Sequence, residues 1–174
     1  MMNIMNIPEE WFEVVDEHGQ VLRLATRREC HTNPALRHKV VHVLVGDALG
    51  RVYLQKRSAH KDIQPGKWDT SVGGHLHPGE AAETGARREL NEELGIVTPD
   101  PLVWLYRYEM RSPVETELVE TFSLVWSGEV FPDPGEIDEG RWWDLGEIRR
   151  HLGCDLFTPN FEEEFQRWQK TAGA

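Results

Sequence analysis

Short apolar and β-branched runs separated by polar turn residues dominate the first third of the chain. Trp11-Phe12-Glu13-Val14-Val15 and Gln20-Val21-Leu22-Arg23-Leu24 flank Asp16-Glu17-His18-Gly19, an order that predicts strand, turn, strand. This makes a small N-terminal hairpin. Val40 to Val45 and Arg51 to Arg57, joined by Asp47-Ala48-Leu49-Gly50, predict a second hairpin at the start of the main sheet. From Glu80 to Leu94 the pattern changes to strong helix formers. Ala86, Leu90 and Leu94 recur every four residues, so one stripe faces the core, and Gly95 follows as a C-cap would. Leu102 to Tyr108 and Leu118 to Trp126 read as further strands, and Pro and Gly punctuate the loop from Gly128 to Gly135. Arg141-Trp142-Trp143 reads as a last short strand. Asp144 is placed to cap a short helix, and Thr158-Pro159 supplies N-cap and first helical position for a terminal helix through about Lys170. Strands with a few helices, neither strictly alternating nor all-β, predict a mixed sheet between helices, in the α/β (α+β) class.

With 174 residues the chain is long enough for one real core and too short for two full-sized enzyme domains, so one active site is expected. The apolar run Val40 to Val45 is interrupted by His42 and falls far short of a bilayer span. Met1 to Glu10 has no cationic region leading into a long apolar segment, which argues against a secretory signal and makes the cytoplasm the default. Cys30 and Cys154 form neither a disulfide framework nor a CxxC pair, and both read as ordinary thiols. A formal net charge of −11 argues against a nucleic-acid duplex as partner. Phosphate-bearing small molecules stay open, because a metal bridges carboxylates to phosphates and a few local Arg and Lys outweigh a global average.

The chemistry concentrates between Gly74 and Ile96. Gly74 is followed after five residues by Glu80 and after seven more by Arg88-Glu89-Leu90, then, each after one residue, by Glu92-Glu93 and Gly95-Ile96. At roughly 6–7 % usage per residue type, seven fixed letters coincide by chance on the order of once in 10⁸ start positions. On a helix Glu89, Glu92 and Glu93 stand at i, i+3 and i+4, so their carboxylates share one patch beside the apolar stripe. Such crowding calls for a counter-charge. A hard divalent cation with oxygen ligands supplies one, and Mg²⁺ keeps open positions for water and substrate phosphates. The alternative is a solvated acidic face offset by Arg87 and Arg88. Glu89, Glu92 and Glu93 are thus candidate metal ligands, with Glu92 or Glu93 also a candidate base. Gly73-Gly74 permits close approach of the backbone, which would let a carbonyl of Gly74 reach the metal.

This spacing is that of the Nudix box, and the chain resembles the Nudix hydrolase superfamily. The resemblance implies the Nudix fold, an α/β/α sandwich with a mixed β-sheet. It also implies one domain over residues 1–174, with a hairpin-bearing extension over 1–36 and a core over 37–174. The activity implied is Mg²⁺-dependent cleavage of a diphosphate linkage in a nucleoside diphosphate derivative or related organic pyrophosphate, with Mn²⁺ able to substitute. Glu80 and Arg88 resemble the family's ion pair that braces the loop against the helix. Homodimers occur in the family, so the resemblance allows one here.

Beyond the box, His31, His38, Lys61 to Asp69, Ser71-Val72-Gly73-Gly74-His75 and Phe157-Thr158-Pro159 are similar to the subgroup of isopentenyl diphosphate isomerase. The resemblance carries a rival activity. His31, His38 and His75 match three isomerase metal ligands and form a candidate second metal site; the other reading makes His31 and His38 surface or loop residues bonded to backbone. The isomerase's proton-transfer cysteine, however, falls at Gly73, and glycine cannot protonate or deprotonate an allylic carbon. Of the isomerase's later glutamate pair, Glu120 matches one member while the other aligns with Leu118; Glu115 and Glu117 lie nearby. The intact Arg-Glu-Leu-Asn-Glu-Glu run favours hydrolysis over isomerisation. A third reading is a nucleotide-binding module of the same fold without turnover, although such modules often lose box carboxylates and none is lost here.

Glu120 is the other candidate base, expected to face the helix from its strand. Arg57 and Lys67 are candidate phosphate binders through charge-assisted hydrogen bonds. Trp68, Trp104, Tyr106 and Trp126 are expected in packing rather than stacked on a base, and His42, on an apolar strand, as a satisfied core histidine.

Overall fold

The computed structural model describes residues 9–61 and 63–172; the first eight residues, on which the expectation for the chain's start rests, and Asp62 lie outside them. The predicted hairpin forms from β1 (Trp11–Val15) and β2 (Val21–Thr26). A one-turn helix missed in the sequence, α1 (Arg27–Cys30), follows directly. Thr26 caps it by accepting from the Glu29 N–H while Glu29 accepts from the Thr26 N–H. That box ends the strand and delivers His31 at the helix C-terminus.

β3 (Arg37–Gly46) is the spine of a nine-stranded mixed sheet. Through all ten residues it pairs in parallel with β8 (Thr116–Val125), which also pairs with β7 (Val103–Arg111). Its other edge pairs with β1 at His38 and with β6 (Val72–His75) from Val40 to Val43. β4 (Val52–Arg57) extends the sheet to β5 (Trp68–Asp69) and β9 (Ile137–Trp143).

The period of two sorts the side chains of β3 and β4 between two helical layers. Val41, Val43, Val45 and Tyr53 pack with Ala86, Leu90 and Leu94 of α2 (Ala82–Leu94), as the four-residue stripe predicts. Val52 and Leu54 face the opposite layer. There they meet Ile148 of α3 (Leu145–His151) and Phe161 and Phe165 of α4 (Pro159–Ala172). Helices on both faces of a mixed sheet give the expected α+β sandwich. Thr158 caps α4, its hydroxyl accepting from the Phe161 N–H at 3.1 Å. Asp144 stands at the N-cap of α3 without a side-chain capping bond.

α2 begins two residues later than the sequence suggests, because Glu80 turns back to accept from the His77 N–H at 3.0 Å and closes the preceding loop. Gly95 ends the helix in the left-handed conformation (φ 64°), as read from the sequence. The N-terminal hairpin buttresses this region, since Glu13 accepts from the Gly79 N–H at 2.9 Å and from Lys39 Nζ at 2.8 Å. No helix among the described residues is long and apolar enough to cross a membrane.

Candidate active site

One cleft of about 530 Å³ opens across β3, β6 and the C-terminal half of α2, and two clusters of ionisable side chains line it. The first is built on α2. Gly74 of β6 lies so close to this helix that a Cβ there would come 2.0 Å from the Glu89 carboxyl carbon. Only glycine lets the carboxylate rest against the strand backbone. Burial raises the pKa of Glu89 despite the neighbouring Arg88. Glu93 is pushed up to about 8, by burial and then by the Glu89 charge, although Gln55 Nε2 donates to it at 2.8 Å. Glu92 is more exposed and accepts from Arg88 at 3.0 Å. Asp133 and Glu136 close the acidic rim.

Arg88 organises this cluster. Its Nε and Nη2 donate to the two oxygens of Glu80 at 2.9 and 2.8 Å, Nη2 also to the His75 carbonyl at 3.0 Å, and Nη1 to Glu89 at 2.6 Å. One guanidinium thus ties the loop, β6 and the helix together. These hydrogen bonds hold Glu80 below the usual carboxylate range against the opposing effect of burial.

The second cluster brings His31, His38 and His75 together, with ligand atoms within 4.8 Å of one another. The Nε2 atoms of His31 and His75 are 3.1 Å apart. Phe12 of the hairpin packs behind them in the core, stacked on His75 at 4.3 Å and on His38 at 5.3 Å. Burial lowers His31 and His38 to about 4 and His75 well below the ordinary value, so all three are neutral near pH 7.

Two carboxylates complete the group, and here the register inferred from sequence is corrected. Glu115 and Glu117, not Glu120 and Leu118, stand beside the histidines: Glu115 is 3.4 Å from His31, and Glu117 is 4.0 Å from His38. Burial raises Glu115, and burial followed by the Glu115 charge pushes Glu117 up to about 8. Nε2 of His38 and Oε2 of Glu115 are buried without a hydrogen-bond partner. Three neutral imidazoles, two strained carboxylates and two orphaned atoms fit a divalent cation, as do the close-packed box carboxylates.

Glu120 and Lys67 do not join the cleft. Glu120 accepts from Arg107 at 2.6 Å and from Trp104 Nε1 at 3.0 Å on the outer strands, and Lys67 pairs with Asp155. Arg57 does line the cleft, held by Asp69 at 3.0 Å and the Ile63 carbonyl at 3.0 Å. Arg27 and Lys61 line it too and were not anticipated. Lys61 sits inside the isomerase-like stretch, a signal that was available; nothing near Arg27 marks it beyond its place before His31. His42 is paired with Glu164 at 2.9 Å, yet it also faces the cleft. Among the described residues, no Trp, Tyr or Phe lines the cavity, and Trp68 packs in the core as expected.

The model of the NUDIX domain family matches residues 36–165, and the chain belongs to the Nudix family. An uncharacterized Nudix hydrolase of Yersinia pestis is 33 % identical, over 91 % of this chain and 85 % of that protein. An isopentenyl-diphosphate Delta-isomerase of Nocardia farcinica is 33 % identical, over 84 % of this chain and 87 % of its own length. Among solved structures, DR0079 from Deinococcus radiodurans superposes with a TM-score of 0.72 at 27 % identity, covering 91 % of this chain and 98 % of that one. The family and the fold expected from the box are therefore established, and the chain is a Nudix enzyme.

Proposed function

We propose that the chain is a Mg²⁺-dependent pyrophosphohydrolase acting on a nucleoside diphosphate derivative or related organic diphosphate. The observation that carries this is Gly74 seated against Glu89. It packs Glu89 and Glu93 into a buried acidic pair, and burial raises the pKa of both, a cost that a bound cation would relieve. Glu89, Glu92, Glu93 and the Gly74 carbonyl would hold the cation, which when bound polarises phosphoryl oxygens and eases deprotonation of water. Water attacks one phosphorus, Glu93 or Glu92 accepts its proton, and the P–O bond to the bridging oxygen breaks. Glu120 lies outside the cleft and drops out as the base. Arg57 and Lys61 line the cleft and would meet phosphate oxygens, Arg57 from its ion pair with Asp69 and Lys61 from its ion pair with Glu136. The cytoplasm remains the expected compartment.

His31, His38, His75, Glu115 and Glu117 would hold a second divalent cation in the same cleft. This full five-ligand set is the observation that favours isopentenyl diphosphate isomerisation as a second reading. Two features weigh against it: Gly73 stands where the resemblance puts the proton-transfer cysteine, and the lining is mainly polar, with Val40 and Ile63 the apolar side chains among the described residues that could receive an isoprenoid chain.

The test is a panel of nucleoside diphosphate derivatives together with isopentenyl diphosphate, assayed with Mg²⁺. Release of phosphate or mononucleotide that falls at least roughly a hundredfold in Glu93→Gln supports hydrolysis. Interconversion of isopentenyl and dimethylallyl diphosphate without hydrolysis would replace it with the second reading. Tight binding with no turnover of any compound would leave a binding module.

A further inference from the structure

We infer that His42 is a phosphate-oxygen donor on the floor of the cleft, with its Nε2 edge turned toward a bound diphosphate and Glu164 as its positioning residue. The inference deepens the diphosphate reading of the same cleft and rests on it. His42 lies on β3 directly opposite Gly73 of β6 and lines the cavity that contains both carboxylate clusters. Its Nδ1 faces Glu164 Oε2 at 2.9 Å, and the other oxygen of Glu164 accepts from Thr121 Oγ1 at 2.7 Å. Glu164 is fully buried, so both of its oxygens are committed and the ring cannot swing without stranding a charge.

With Nδ1 bound to a carboxylate, the free nitrogen is Nε2, and among the described residues it makes no hydrogen bond to protein. Gly73 is what leaves it open. A Cβ at position 73 would come 3.1 Å from His42 Cδ2 and 3.3 Å from Nε2, so the imidazole edge fills the space that a side chain there would take. The place where the resemblance puts the isomerase's cysteine is thus taken by a histidine edge reaching in from the neighbouring strand.

The electrostatics agree with a donor. Burial disfavours the charged ring, but Glu164 on α4 more than reverses this, with Glu117 on β8 and Asp69 on β5 adding, and holds His42 at about 9. Its field in turn disfavours a proton on His75 of β6, already low from burial. An imidazolium has two N–H donors: one is spent on Glu164 and the other points at the cavity. A bridging or terminal phosphate oxygen lying between the two carboxylate clusters would accept from it, in a position where negative charge accumulates as the P–O bond breaks.

The probe is methylenediphosphonate with Mg²⁺, which binds without being cleaved. In wild-type protein the ¹⁵N resonance of His42 Nε2 should shift on saturation, whereas a purely structural ion pair would leave it in place. Replacing His42 alone strands the Glu164 charge, so the affinity comparison uses the double variant His42→Gln, Glu164→Gln, in which an amide pair keeps the buried hydrogen bond. Loss of one charge-assisted hydrogen bond predicts roughly tenfold weaker binding. An Nε2 shift with at least threefold weaker binding supports the assignment; an unmoved Nε2 signal, or a loss of less than threefold, overturns it. Because the probe is not turned over, this outcome is independent of whether any diphosphate is hydrolysed. In a competent hydrolase the variant should also lower kcat more than it raises KM.

Discussion

Adjacent glycines in β6 do different work, and single methyl groups should reveal it. At Gly74 the added carbon meets the Glu89 carboxylate at 2.0–2.5 Å, with β3 pinned behind it. Gly74→Ala should therefore displace Glu89 from the cleft and weaken Mg²⁺ binding by at least roughly tenfold, as read by calorimetric titration, while the fold persists. At Gly73 the contact is the His42 edge at 3.1 Å, which a few tenths of an ångström relieve, so Gly73→Ala should cost clearly less. Equal effects would contradict the account of Gly74. Glu93→Gln removes both charge and proton acceptor and should lower kcat by roughly 10²- to 10⁴-fold with little change in melting temperature.

Among the elements, α4 is tied to the cleft through its cap. The Thr158 hydroxyl accepts from the Phe161 N–H and donates to Asp69 at 2.8 Å, and Asp69 in turn holds Arg57. Thr158→Ala should destabilise the protein by about 1–2 kcal/mol. For a chain of this size that is a fall in melting temperature of roughly 2–8 °C, and an unchanged melting curve would count against the cap. This cap was legible, as was α2, because Thr-Pro, the four-residue apolar period and Gly95 are local signals. β6 was not, since four residues containing two glycines look like loop until β3 pairs with them. The second cluster was half legible for a related reason. Glu117 and Glu120 differ in parity along β8, and a strand's faces swap with a one-residue slip. Only the parallel pairing with β3, which sets His38 beside Glu117 and Val41 beside Glu120, decides which carboxylate reaches the histidines. His42 is the buried, satisfied histidine expected of its apolar strand, but its edge on the cleft was not legible, because the partner that orients it is 122 residues away.

For the molecule as a whole, the buried charges make stability depend on pH and on cations together. Glu93 and Glu117 have folded values near 8 against an ordinary 4.5, so the stability they give is complete below about 4.5 and declines as pH rises to about 8. His42, raised from 6.5 to about 9, loses its contribution over that interval as pH rises. His31 and His38, lowered to about 4, act in the opposite sense but only below 6.5. Between pH 6.5 and 8 the resolved large shifts therefore share one sign. The chelator-treated protein should melt at a lower temperature at pH 8 than at pH 6.5, and Mg²⁺ should raise the melting temperature more at pH 8. A flat or rising metal-free profile across that window would show that the clusters are not strained as described.

Two carboxylate clusters, one on α2 and one around the histidines, face a single polar cleft, and the central claim is that this cleft breaks a diphosphate linkage with water. The most direct measurement is mass spectrometry of the products formed from the diphosphate panel in ¹⁸O-labelled water with Mg²⁺. One ¹⁸O atom is expected in a single phosphate-bearing product of each substrate turned over, with labelled product from Glu93→Gln forming at least roughly a hundredfold more slowly. Intact diphosphates without ¹⁸O, or isopentenyl diphosphate returned as its isomer, would contradict it.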